Sequence, residues 1–120
     1  MVPYGVLVSD LIPLYRLTVI IPSEGLNFVI SELEKTAILS IGNYANVTWV
    51  SSEGIESFTP LDNANPAVGE VGVPIKVPAR QLVFSIPRDD SSLNKVLNVL
   101  VASHPWEKPV IYVDESYGYG

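Results

Sequence analysis

The feature that most constrains the fold of this chain is a strand-then-helix unit that occurs twice. Leu14 to Pro22, LYRLTVIIP, is rich in β-branched and aromatic residues and reads as a buried strand. Ser23 and Glu24 follow as a helix start. Leu26, Val29, Ile30, Leu33 and Ala37 then recur at the spacing of an amphipathic helix. The second unit begins at Gln81 to Pro87, QLVFSIP, which is again strand-like and again ends in Ile-Pro. Asp89, Asp90, Ser91 and Ser92 supply acids and caps for a helix N-terminus. Leu93, Val96, Leu97, Leu100 and Val101 form the second apolar stripe, and Pro105 stops it. Leu17, Ile21 and Pro22 superpose in register on Leu82, Ile86 and Pro87, which makes this an internal duplication. Pro109 to Asp114, PVIYVD, supplies a last strand.

Between the two units lies Gly42 to Gly72, GNYANVTWVSSEGIESFTPLDNANPAVGEVG. Asn46 to Ser52 alternates like a strand, and Glu53-Gly54 reads as a tight hairpin turn into Ile55 to Thr59. The resulting order is two strand–helix–strand halves. It predicts an α+β, ferredoxin-like βαββαβ sandwich with an elaborated connection between its second and third strands. One face of the sheet carries both helices. The other needs a cover, and Val47, Trp49 and Phe84 are expected there; association of subunits is the expected cover.

A chain of 120 residues, 48% of them apolar, fits one domain with a real core. The expected organisation is an N-terminal arm over 1–14, a single domain over 15–114 and a mobile, Gly/Tyr-rich tail over 115–120. The arm contains Pro3, Asp10 and Pro13 and lacks the positive start of a signal peptide. It reads as a segment that packs on its own domain or on a neighbouring subunit. The absence of cysteine removes disulfides, thiol catalysis and thiolate metal sites, and it suits the cytoplasm, the expected location. A net charge of −6 with scattered Lys and Arg disfavours a nucleic-acid partner, and no membrane partner is expected.

His104 and Glu107 are the pair that most resembles chemistry. A histidine ending a helix, a proline and then a carboxylate would place an imidazole beside an acid, as a metal site or as a general base with its partner. The structural alternative is that His104 caps the helix carbonyls at the negative end of the dipole. A metal site would need a further ligand, from Glu53, Glu70 or another subunit. Asn43 and Tyr44 read either as a ligand-facing loop or as a helix end leading into a strand. Glu53-Gly54 reads mainly as a turn, with Phe58 and Pro60 as hairpin packing. Asn65-Pro66 and Gly69-Glu70-Val71-Gly72 read either as a ligand loop or as an arm reaching across a subunit boundary. Trp49, Trp106 and Tyr112 are core or interface anchors. No GxxxxGK[ST] loop is present, and one histidine shared among several serines makes a serine triad a poor reading.

Several short motifs occur in series: Gly42-Asn43-Tyr44, Ser52-Glu53-Gly54, Phe58-Thr59-Pro60, Ala64-Asn65-Pro66, Gly69-Glu70-Val71-Gly72 and His104-Pro105-Trp106-Glu107. In this order and at these distances the run resembles the inserted domain of the Nif-three-like family (NGG-one-interacting factor three, YqfO-type), a domain similar to the PII and CutA folds. The resemblance covers about Tyr15 to Asp114. It implies that fold and a tendency to threefold assembly. The family's flanking metal-binding domains lie outside the matched segment, and Trp106 and Lys108 replace a tyrosine and a second acid of the family motif.

The leading expectation is therefore a non-enzymatic, PII/CutA-like homo-oligomer, trimeric or a multiple of it. It would bind a small ligand or a partner protein at subunit clefts through Asn43, Tyr44, Glu53, Asn65, Glu70, His104, Trp106 and Glu107. One alternative is a divalent metal held by His104, Glu107 and nearby carboxylates. Another is a small hydrolase-type enzyme with an inter-subunit site built on Tyr44, Glu70 and His104.

Overall fold

A computed structural model describes residues 6–120. Strand β1 (Leu11–Pro22) leads through a single 3-10 turn at Ser23–Gly25 into helix α1 (Leu26–Glu34). Two short strands follow, β2 (Trp49–Val50) and β3 (Gly54–Phe58), then the long β4 (Ile75–Pro87), helix α2 (Asp90–Ser103) and β5 (Val110–Tyr119). All pairings are antiparallel, in the order β2-β4-β1-β5, with β3 also on β4. This is the mixed α/β, ferredoxin-like arrangement expected from the duplicated units.

Alternation along the strands builds the core. Leu17, Val19 and Ile21 from β1 and Leu82, Phe84 and Ile86 from β4 point to the helical side and are buried. They meet Val29 and Leu33 from α1 and Val96 and Leu100 from α2. Each such side chain contributes about 1.5–3 kcal/mol by leaving water. Phe84 thus belongs to the core, not to the uncovered face where it was expected. Alternation fixes which residues share a face; the helices decide which face is buried.

The two helices begin differently. Asp89 is extended and its Oδ1 accepts the backbone N–H of Ser92 at 2.7 Å, a side-chain cap as anticipated. No side chain caps α1, which starts one 3-10 turn after Ser23. Its stripe also ends early. Thr36 bonds back to Leu33, Ala37 turns left-handed at φ 60° and is exposed, and Leu39 fills the core in its place.

The expected hairpin at Glu53-Gly54 is absent. Trp49 and Val50 pair with Val83 and Leu82, and Gly54 to Phe58 pair with Ala79 to Ile75. Both segments therefore run along the same edge of β4. Between Val50↔Leu82 and Gly54↔Ala79 the edge advances one residue more than β4 does, which is a β-bulge. Ser51 holds it: its N–H donates to the Gln81 carbonyl and its Oγ accepts the Gln81 N–H at 2.8 Å. The true hairpin joins this bulged edge to β4 through residues 59–74. Val47 lies in the loop before the edge, where its N–H donates to the Leu39 carbonyl.

The tail expected to be mobile is part of β5. Leu11 to Tyr15 pair with Tyr119 to Glu115, so 115–119 are ordered strand, and β1 starts within the expected arm. Gly118 lies close against Leu14: a Cβ there would meet the tip of the Leu14 side chain, which would have to turn aside. Arg88 fixes the base of the ribbon. It donates to the carbonyls of Ser116 (2.6 Å) and Leu14 (3.3 Å) and lies 4.9 Å from the Tyr117 ring centroid. The ribbon extends past β4, whose last partner in β1 is Leu14. It makes the molecule long, 61 Å, with a radius of gyration of 17.0 Å, against roughly 14 Å for a compact chain of this length. Met1 to Gly5, the first residues of the expected arm, fall outside the described residues.

Candidate functional site

The α2–β5 connection, β3 and the 59–74 connection meet around Trp106. His104 is the C-terminal boundary of α2, and its backbone N–H closes the helix onto Leu100. Its ring is buried. Nδ1 lies 3.1 Å from the Trp106 backbone N–H and must accept from it, which places the ring proton on Nε2, 2.8 Å from the Ile20 carbonyl. Burial holds its pKa below the ordinary histidine value, with the Ile20 hydrogen bond opposing the shift. Both nitrogens are thereby engaged in hydrogen bonds within the fold, and the one to the Trp106 N–H ties His104 to Trp106. Among the described residues, no three His, Asp or Glu side chains converge to hold a metal ion.

Trp106 packs edge-on against His104 at 5.6 Å and tilted against Phe58 at 5.1 Å. On its other side, Glu107 Oε1 accepts the Asn65 backbone N–H at 2.9 Å, tying the 59–74 connection to the end of α2. The Gly72 N–H closes that connection onto the Pro60 carbonyl at 2.7 Å. Together these contacts leave a cleft of about 220 Å³. Phe58, Pro60, Pro66 and Trp106 give it apolar walls, and Glu56, Glu107 and Lys108 its polar groups.

Of the residues singled out in the sequence, Trp106 and Glu107 line the cleft, Asn65 braces it through its backbone, and His104 supports it from behind. The others stand apart. Asn43 and Tyr44 sit on an exposed two-residue turn in which Ile41 and Tyr44 exchange backbone hydrogen bonds; Gly42, at φ 55°, supplies the left-handed position such a turn requires. Glu53 accepts a hydrogen bond from Ser23 Oγ at 2.6 Å, which ties the bulge to the turn before α1. Glu70 is exposed, and its carbonyl accepts from Val73. Neither Tyr44 nor Glu70 lines the cleft with Trp106.

Sequence reasoning missed Glu56. Its Oε1 is buried and meets no donor, and burial raises its pKa above the ordinary carboxylate value. The signal lay in the alternation of GIESF. Glu56 and Phe58 are two apart on a strand, so they project to the same side.

No family model matches the chain. Two relatives, each named GTP cyclohydrolase 1 type 2 homolog, align over 96 residues. The protein from Bacillus subtilis is 38% identical and that from Halalkalibacterium halodurans 31%; each alignment covers 80% of this chain and 25% of the relative. Among solved structures, a Bacillus cereus protein described as related to NIF3 superposes with a TM-score of 0.72 at 24% identity, over 91% of this chain and 28% of that one. The chain belongs to the Nif-three-like family. It spans about a quarter of the length of these Nif-three-like relatives. The fold is shared more widely. CutA1 from Oryza sativa gives a TM-score of 0.62 at 11% identity, over 91% of this chain and 84% of its own. CPII, a nitrogen regulatory PII-like protein from Thiomonas intermedia K12 solved with ADP, AMP and bicarbonate, gives 0.51 at 14%, over 90% and 94%. The Nif-three-like segment thus has a PII/CutA-like fold.

Proposed function

We propose that this module is a non-catalytic homo-oligomer that binds a small organic ligand in the cleft walled by Phe58 and Trp106. The observation that carries this reading is the way Trp106 is held. Its backbone N–H donates to His104 Nδ1, its ring packs on Phe58 and His104, the neighbouring Glu107 is tied to Asn65, and the half-buried ring still lines the cleft. Preformed clefts with apolar walls and a few placed polar groups are the usual form of small-molecule sites. The histidine, the glutamate and the asparagine backbone are positioning groups in this reading, and none is poised as a nucleophile or base.

Self-association is supported by the sheet face opposite the helices. Trp49, Val83, Thr18 and Tyr112 form one row across β2, β4, β1 and β5. Trp49 and Tyr112, at the ends of that row, are 60% and 58% exposed. A continuous row with exposed aromatic residues at both ends suits burial against another copy of the chain.

Native mass spectrometry of protein purified without chelator tests both parts. A trimer carrying an extra mass of a small organic molecule, lost in Trp106→Ala, is the expected result. A monomer that binds nothing, in protein whose fold is intact, would overturn the reading. An extra mass equal to a divalent ion would favour the metal alternative instead.

A further inference from the structure

The cleft's chemistry narrows the kind of ligand, on the reading that it is a ligand site. Its walls are flat and apolar, with Phe58 and Trp106 rings and the rings of Pro60 and Pro66. Such walls suit a planar body. Its polar groups carry an acidic excess, Glu56 and Glu107 against Lys108, and Lys108 is exposed, where water screens it. The two carboxylates are not equivalent. Glu107 already has the Asn65 N–H on its Oε1, whereas Glu56 Oε1 is buried without a donor. A buried acceptor lacking its partner favours whatever brings one, since leaving it unpaired costs about 1–3 kcal/mol.

We propose that the cleft selects a small planar organic cation with N–H donors, such as an amidine, a guanidine or a protonated aromatic amine, and that Glu56 is the residue that selects it. The ligand's ring lies between the aromatic and proline walls while its N–H groups meet the Glu56 carboxylate, whose buried Oε1 turns toward the cleft to accept them. An oxyanion of similar size meets two carboxylates there and is rejected. Phosphorylated ligands are rejected for the same reason, because Lys108 is the one cationic side chain lining this cleft among the described residues.

The test uses the ¹⁵N-labelled full chain, read at the Trp106 indole N–H and the Asn65 amide, with three isosteric probes: benzamidine, benzamide and benzoate. Benzamidine is expected to shift both signals saturably, with benzoate weaker by at least about tenfold, the difference between a charge-assisted pair and like-charge contact. Glu56→Gln, on an exposed edge strand where it keeps shape, is expected to weaken benzamidine by about tenfold and leave benzamide unchanged. If benzoate shifts Trp106 as well as benzamidine does, the ligand class is wrong and the cleft stands. If benzamidine is indifferent to Glu56→Gln, Glu56 is not the selector. If none of the three probes moves Trp106 or Asn65, the cleft itself is not a ligand site.

Discussion

The core between sheet and helices and the cleft around Trp106 are built by opposite rules. In the core, Leu17, Val19, Leu82, Leu33 and Leu100 are fully buried, and the polar groups beside them are paired: Thr36 Oγ1 bonds Leu33 and Ser103 Oγ bonds Val99. In the cleft, rings are held firmly but their outer faces stay open, and Glu56 keeps a buried oxygen with no donor. The first region is closed to everything and tells only of stability. The second leaves an acceptor unmet, and the proposed ligand site rests on that difference.

Substitutions should separate the two. Leu100→Ala removes a fully buried side chain from the core and should cost about 2–5 kcal/mol in urea unfolding, through lost transfer energy and the cavity left. An equally large cost from Trp106→Ala would erase the distinction, since a cleft wall should matter more to binding than to folding. His104→Gln should cost less, about 1–3 kcal/mol, by disturbing the hydrogen bonds to the Ile20 carbonyl and the Trp106 N–H. Its pH dependence carries the sign. Because the folded His104 pKa is lowered from 6.5, the unfolded chain takes up the proton first. Stability should therefore be intact above about pH 6.5 and fall as pH drops from there towards the folded value. His104→Gln should lose that part of the acid slope, measured as urea midpoints at several pH values. Asp89→Ala deletes the α2 cap and should cost about 1 kcal/mol with no effect on the cleft.

The smallest expected effect is the most informative. Glu56→Gln should leave stability unchanged or raise it, by less than about 1 kcal/mol near neutral pH, because it removes a carboxylate whose ionisation is opposed by burial. A folded pKa raised above 4.5 means the group's penalty is absent below that pH and grows as pH rises through the folded value. The advantage of Gln should therefore vanish on acidification. A loss of stability at neutral pH would show that Glu56 has a folded-state partner and would weaken the contrast between core and cleft.

The core was legible in the sequence because period and capping are local properties. The Leu26–Leu33 stripe, the Ile-Pro strand ends and the Asp89 cap each need only a few neighbouring residues to be recognised. The cleft was not, because its geometry depends on partners far away in the chain. Ser51-Ser52-Glu53-Gly54 suits a hairpin turn and a bulge equally well; the pairing with β4 decides for the bulge. His104 and Glu107 stood out as chemical groups, but their roles were set by Ile20 and Asn65, at sequence separations of 84 and 42. Glu56 carried no motif at all. Tyr117 and Gly118 read as a loose end in the sequence, yet Leu14 and Arg88 lie against them in the fold.

That ribbon has a mechanical consequence. Leu11 and Tyr119 are opposite rungs of one antiparallel ladder, so a pull on the two ends of the domain loads its cross-strand bonds singly, beginning at that pair. Strands arranged this way part like a zipper at low force, whereas strands pulled lengthwise past one another resist together. Under tension the first few rungs should open and reclose readily. The resistance should step up where the Arg88 side chain spans Leu14 and Ser116, leaving the core and the cleft folded behind it.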